Sequence, residues 1–184
     1  MSPPAPASAP TSLVGRVLAG KYRVESTLGE GGMGVVFAAW HVELDQRVAL
    51  KFLREGVSEA TAQRFRREAR AAARITSEHV ARVMDVGVLD EGGSFIVMEH
   101  LSGRDLHAML VDRRRLPVDE ACYLVLQACD ALAEAHAKGI VHRDLKPSNL
   151  FVTKRRDGTP LLKVLDFGVA KMSEGELGDM TGTH

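Results

Sequence analysis

Few features of this sequence suit export, a membrane or a nucleic acid. It has only two cysteines, Cys122 and Cys129, seven apart inside a helical pattern, which suits a pair of reduced, semi-buried thiols and neither a disulfide nor a metal site. Basic and acidic side chains number 24 each, so no global field draws the chain to nucleic acid or to an anionic surface. No run approaches the roughly 18 apolar residues that a membrane span needs, and the start lacks the basic and apolar regions of a signal peptide. The expected compartment is the cytoplasm, with an anchor downstream of residue 184 left open. What is present is a 45% hydrophobic composition over 184 residues, enough for one ordinary domain or two small lobes.

Residues 1–12, MSPPAPASAPTS, have no apolar period with which to offset the entropy of ordering, so a disordered leader is expected over 1–14. β-type runs follow at Tyr22 to Leu28, Val35 to Trp40 and Arg47 to Leu53, which predict an antiparallel meander. A helix is expected over Glu59 to Ile75, its apolar stripe running through Phe65, Ala69, Ala72 and Ile75. Val80 to Val88 and Ser94 to Met98 complete a five-stranded sheet and a first lobe, residues 15–99. Residues 100–184 read as a helical second lobe. Its helices are Asp105 to Arg113 and a long one from Pro117, as first helical residue, to a capping Gly139, and a small hairpin turns at Asp157-Gly158.

Chemistry first shows in Leu28-Gly29-Glu30-Gly31-Gly32-Met33-Gly34-Val35-Val36. Here G-x-G-x-x-G spacing between two strands lets backbone N–H groups approach phosphate oxygens with no Cβ in the way. A flexible hairpin turn and a dinucleotide site are the alternatives. The second is disfavoured because the loop leads into a strand, and because a lysine stands where a ribose-binding acid is needed. That lysine is Lys51. Strand alternation puts it beside Ala49 on one face, so an adenine could lie on the small residue while the cation reaches the phosphates. Glu68 sits on the apolar stripe of the first helix, where a carboxylate needs a partner, and Lys51 is the natural one. A solvated edge lysine and a glutamate reaching water are the plainer readings.

His142-Arg143-Asp144-Leu145-Lys146-Pro147-Ser148-Asn149, followed after the hairpin by Asp166-Phe167-Gly168, is too dense in polar and charged groups for a plain turn. With the glycine loop, the strand lysine and the helix glutamate in the same order, the chain resembles the eukaryotic-like serine/threonine protein kinase family of bacterial type. The match begins near Lys21 and covers the N-terminal part of the catalytic domain.

That resemblance implies an α+β, two-lobed kinase fold, with a five-stranded antiparallel sheet plus one helix in the N-lobe and a mostly helical, truncated C-lobe ending inside the activation loop. It implies transfer of the γ-phosphate of ATP to a Ser/Thr hydroxyl of a protein, with Asp144 accepting and orienting the hydroxyl proton. Lys146 would place a cation by the γ-phosphate, a lysine typical of serine/threonine members. Asn149 and Asp166 would hold Mg²⁺ or Mn²⁺. Ile96 to Leu101 matches the hinge, with Met98 as gatekeeper and the backbones of Glu99 and Leu101 as adenine partners. Val36, Ala49 and Phe151 would sandwich adenine, and all three also suit an ordinary core. Asp105 would lie near the ribose or would simply cap a helix. Arg143 would receive a phosphorylated Thr181 or Thr183. Ala72 stands where many relatives carry a larger aliphatic residue, so closure around Glu68 would depend on a regulatory partner or on other packing. A chain of this extent alone is expected to be poorly stable and inactive. The rivals are a nucleotide-binding pseudokinase or scaffold, and a small-molecule kinase.

Overall fold

The structure is a computed structural model that describes residues 13–32, 34–54, 56–89 and 92–167. Strands β1 (Val17–Leu18), β2 (Tyr22–Gly31), β3 (Gly34–His41), β4 (Gln46–Leu53), β5 (Val83–Val88) and β6 (Ser94–Glu99) form one antiparallel sheet in the order β1-β2-β3-β4-β6-β5. The five expected strands are there; the sixth is the two-residue β1, too short to carry a period. Leu13, expected in the leader, is buried against this sheet with Leu18, Tyr22 and Val24.

Alternation sorts β4 as its sequence dictates. Val48, Leu50 and Phe52 enter the core with Val35, Phe37 and Phe95, each large apolar side chain contributing about 1.5–3 kcal/mol on burial. The other face turns Ala49, Lys51 and Leu53 toward α1 (Glu59–Ala72), whose Phe65 and Ala69 pack on Ile96 of β6. Ser58 caps α1, its Oγ accepting the Thr61 N–H at 3.2 Å.

The helix ends at Ala72, short of the expected Ile75, because the following residues serve the second lobe. Thr76 donates both its N–H (2.8 Å) and its hydroxyl (2.9 Å) to Glu134. The Ala81 N–H donates to the Val164 carbonyl at 2.9 Å, and the Val164 N–H to the His79 carbonyl at 2.8 Å. Val80 thereby bridges Val164 in parallel, so β5 begins at Val83 and not at Val80.

The second lobe contains β7 (Arg104–Asp105), α2 (Leu106–Arg113), α3 (Val118–Ala137), a 3₁₀ turn at Pro147–Asn149, β8 (Leu150–Lys154) and β9 (Pro160–Val164), with the three strands paired β7-β8-β9. Pro117 is the cap residue of α3, so the helix begins at Val118, one place later than expected. Gly139, at φ 71°, ends the helix; the Ile140 N–H returns to the Ala135 carbonyl and the Gly139 N–H to that of His136, the paired bonds of a glycine C-cap. Leu124, Ala128, Ala131 and Ala135 press α3 onto Leu162 and Val164. Cys122 and Cys129 are free thiols on the opposite side of the helix and are exposed, which corrects the expected half-burial. Among the described residues, no helix is long and apolar enough to cross a membrane.

Candidate active site

The candidate cleft has two walls, the α1-facing side of the first sheet and the segments flanking the β8–β9 hairpin, which Lys51 and Asp166 join. Its upper wall begins with the β2–β3 hairpin, where Gly29 lies opposite Val36 and Gly31 opposite Gly34. Gly34 has φ 148°, and a Cβ there would drive into the carbonyl oxygen of Phe52, so the close approach of β3 to β4 requires glycine. At Gly29, Gly31 and Gly32 an added Cβ would meet nothing within 4 Å. Those positions are therefore open for another reason, which is consistent with room for a ligand. Leu28 is exposed at the rim, while Met33 falls outside the described residues.

Deeper in the same wall, Lys51 lies in register with Val36 on one side and Ile96 on the other, and Ala49 beside Met98. Lys51 is only 5% exposed, and a buried ammonium demands a partner. Its Nζ meets Oδ1 of Asp166 at 2.6 Å. Asp166 follows β9 in the left-handed region, at φ 59°, a conformation that costs a non-glycine residue about 1–3 kcal/mol and is concentrated at functional sites. The next residue explains what holds it: Phe167 is buried among Ala72, Val80, Ala135 and Leu162, so inward anchoring of the ring turns the adjacent carboxylate into the cleft. Glu68, expected opposite Lys51, is half-buried on α1.

The lower wall is built from hydrogen bonds and not from regular structure. His142 is buried edge-on to Phe167, with ring centroids 4.9 Å apart. Its Nε2 lies 2.7 Å from the Leu165 carbonyl oxygen, and its Nδ1 accepts the Asp144 N–H at 3.3 Å. Together these contacts select the neutral imidazole protonated on Nε2. Asn149 donates from Nδ2 to the backbone carbonyl of Asp144 at 2.8 Å and lies 3.4 Å from its carboxylate. The Leu165 N–H returns to the Asn149 carbonyl at 2.9 Å. Lys146 reaches back to Asp144 Oδ2 at 2.8 Å. One knot thus brings together Asp144, Lys146, Asn149 and the residues leading to Asp166. Arg143 is exposed, with φ 65°.

A hard divalent cation suits this donor set. Asn149 engages Asp144 through its Nδ2 and Asp166 meets Lys51 through its Oδ1, so an amide oxygen and a second carboxylate oxygen belong to the same donor set. An amide and a carboxylate are few ligands for a self-contained site, and among the described residues no cluster of three His, Cys, Asp or Glu side chains could hold a metal. Mg²⁺ characteristically takes one or two protein oxygens and completes its shell with phosphate and water.

At the back of the cleft, Met98 and Glu99 end β6 and Leu101 is half-buried just beyond. Gly103 at φ 157° lets the chain touch the Val152 carbonyl, which a Cβ would block. Asp105 accepts the Ala108 N–H at 2.8 Å as the cap of α2, and lies opposite Phe151 of β8. The capping role is thus observed, next to a candidate adenine-contacting residue. Ala72 is buried against the cluster that holds Phe167. Thr181 and Thr183 lie outside the described residues. Sequence reasoning missed Lys163, whose Nζ lies 2.7 Å from Glu99 Oε1, and the anchoring role of His142; an isolated strand lysine and a motif histidine carry no signal of their partners.

A two-lobed frame that carries a glycine hairpin, a buried lysine paired with Asp166 and an Asp-Lys-Asn loop defines a kinase-like α+β class of domain. Residues 22–184 match the protein kinase domain family, and the chain belongs to that family. It is 46% identical over 165 residues to serine/threonine-protein kinase pkn3 of Myxococcus xanthus, an alignment that covers 88% of this chain and 30% of that protein. It is 35% identical to probable serine/threonine-protein kinase PknB of Corynebacterium glutamicum, covering 91% of this chain and 26% of the other. The solved kinase domain of Mycobacterium tuberculosis PknI superposes with a TM-score of 0.74 at 32% identity, covering 92% of this chain and 69% of that one. The chain thus spans about 30% or less of the length of these curated relatives. Proteins of this family generally use ATP with Mg²⁺.

Proposed function

We propose that this chain carries the nucleotide-binding and catalytic residues of a serine/threonine protein kinase, which passes the γ-phosphate of ATP to a Ser or Thr hydroxyl of a protein. The observation that carries the reading is the Lys51–Asp166 pair at 2.6 Å, which joins the glycine-hairpin wall to the wall bearing Asp144. Adenine would lie between Val36 and Ala49 above and Phe151 below, bonded to the main chain of Glu99 and Leu101, with Asp105 near the ribose. The open glycines of residues 29–32 would let backbone N–H groups meet the phosphates, and Lys51 would turn from Asp166 to an oxygen of the triphosphate. Glu68, half-buried on α1, would steady Lys51.

Phosphoryl transfer asks the protein mainly to position groups and neutralise charge. Asp144, fixed by His142 and Asn149, would hydrogen-bond the acceptor hydroxyl, aim it at the γ-phosphate and take its proton. Lys146, already on the Asp144 carboxylate, would place its cation on the incoming negative charge. Asn149 and Asp166 would hold Mg²⁺, which supplies neutralisation of the phosphoryl oxygens. Arg143 would serve as the docking point for a phosphorylated Thr181 or Thr183, and the region around Glu68 is where a regulatory partner would act, given the small Ala72.

The test is the identity of the acceptor. Incubating the full-length protein with γ-labelled ATP, Mg²⁺ and a generic protein acceptor should place label on phosphoserine or phosphothreonine. Label found only on a small alcohol, or none transferred despite bound ATP, would overturn the proposal.

A further inference from the structure

A second ion pair crosses between the lobes, and the nucleotide chemistry leaves it unused. Glu99 Oε1 accepts the Arg82 N–H at 2.8 Å and the Lys163 ammonium at 2.7 Å. Both side chains are largely withdrawn from water, at 12% exposure for Lys163 and 27% for Glu99. Glu99 is the last residue of β6, opposite Val48 of β4. Lys163 is on β9, opposite Phe151 and three residues before Asp166. One carboxylate therefore ties together the end of the first sheet, the connector into β5, and the strand that delivers Asp166.

The Lys51–Asp166 and Glu99–Lys163 pairs differ in what a ligand does to them. A triphosphate and its cation would compete for both members of the Lys51–Asp166 pair, so that link is exchanged on binding. Neither charge of the Glu99–Lys163 pair is wanted by the nucleotide. We infer that Glu99 and Lys163 are positioning residues for nucleotide binding: their ion pair holds the adenine-contacting backbone of Glu99 at a fixed distance from Phe151 and Asp166 while the other link is opened. This rests on the ATP-binding reading proposed above. The physical reason is preorganisation, since a ligand held at both ends binds best when those ends are already spaced for it. Removing the ammonium would leave a largely desolvated carboxylate with one neutral donor, and the end of β6 would settle elsewhere.

The catalytic knot should be indifferent, because Asp144, Lys146 and Asn149 are tied to one another and to His142 without Lys163. Lys163→Met in the full chain should therefore raise the ATP dissociation constant, measured by calorimetry, and KM for ATP by about five- to tenfold, with kcat inside about twofold of the parent. Lys163→Arg, which keeps the cation, should restore affinity. Glu99→Gln keeps an acceptor for the Arg82 N–H but loses the charge, and should weaken ATP binding as Lys163→Met does; it also serves if Lys163→Met fails to fold. The inference is overturned if both charge-removing variants bind ATP as the parent does, or if Lys163→Arg is as weak as Lys163→Met. A parent that binds no ATP would overturn the ATP-binding reading and this inference together, whereas a parent that binds ATP alongside unaffected variants would sink this inference alone.

Discussion

The two walls of the cleft are made by different means. The upper wall is regular: β2, β3 and β4 pair in register, and its chemistry comes from backbone at open glycines plus one buried lysine. The lower wall has only a short 3₁₀ turn between His142 and β8, and two non-glycine residues, Arg143 at 65° and Asp166 at 59°, sit in the left-handed region. Regular strands suffice where a ligand is to be cradled by peptide groups. They do not converge a carboxylate, an amide and a cation on one point, and the lower wall accepts about 1–3 kcal/mol of strain per special residue to do so. Burial of Phe167 and His142 holds that strain in place.

This contrast can be broken from either side. The largest effect should come from the lower wall: Asp144→Asn should cut the rate of phosphate transfer by about 10²- to 10⁴-fold, read in a single-turnover assay. On the upper wall the glycines should separate into two kinds. Gly34→Ala should lower stability by about 1–3 kcal/mol in chemical denaturation, because its Cβ would collide with the Phe52 carbonyl and crowd the Arg54 backbone nitrogen. Gly31→Ala should stay within about 0.5 kcal/mol of the parent, since its Cβ would enter open space, while weakening ATP. Equal destabilisation by the two would refute the distinction.

The smallest effect concerns the seam between the lobes. Lys138, and then the Thr76 N–H, hold the Glu134 carboxyl down from 4.5 to about 2. A carboxylate depressed in the folded state stabilises above its unfolded value and loses that contribution as pH falls through the folded one. The advantage of the parent over Glu134→Gln in melting temperature should therefore be full above pH 4.5 and fade toward pH 2. A difference independent of pH would show that Glu134 acts there without its charge.

Much of this was legible in the residues, for reasons that also mark where legibility stops. Period-2 alternation in Val48 to Leu53 correctly separates the core face from the face bearing Lys51, because a strand leaves a side chain no third direction. The same alternation does not reveal β1, which is too short, or the departure of residues 73–82 to the second lobe, which follows from long-range bonds to Glu134 and Val164. The helical pattern around Cys122 placed both thiols on one face without saying that Leu124 and Ala128 define the opposite, buried one. At the site, residue types announced Asp144, Asn149 and Asp166. Lys51 meets Asp166 in this structure, a contact across the site that spacing along the chain could not announce. The Glu99–Lys163 pair was invisible for the same reason.

The central claim is a division of labour, in which the groups of both walls that would hold ATP and its cation are distinct from Asp144, which would direct the acceptor hydroxyl. The measurement that tests it most directly is the affinity of the Asp144→Asn variant for ATP with Mg²⁺, taken beside its transfer rate. The account predicts affinity within about twofold of the parent and a rate collapsed by orders of magnitude. Affinity and rate lost together, or a rate left intact, would contradict it.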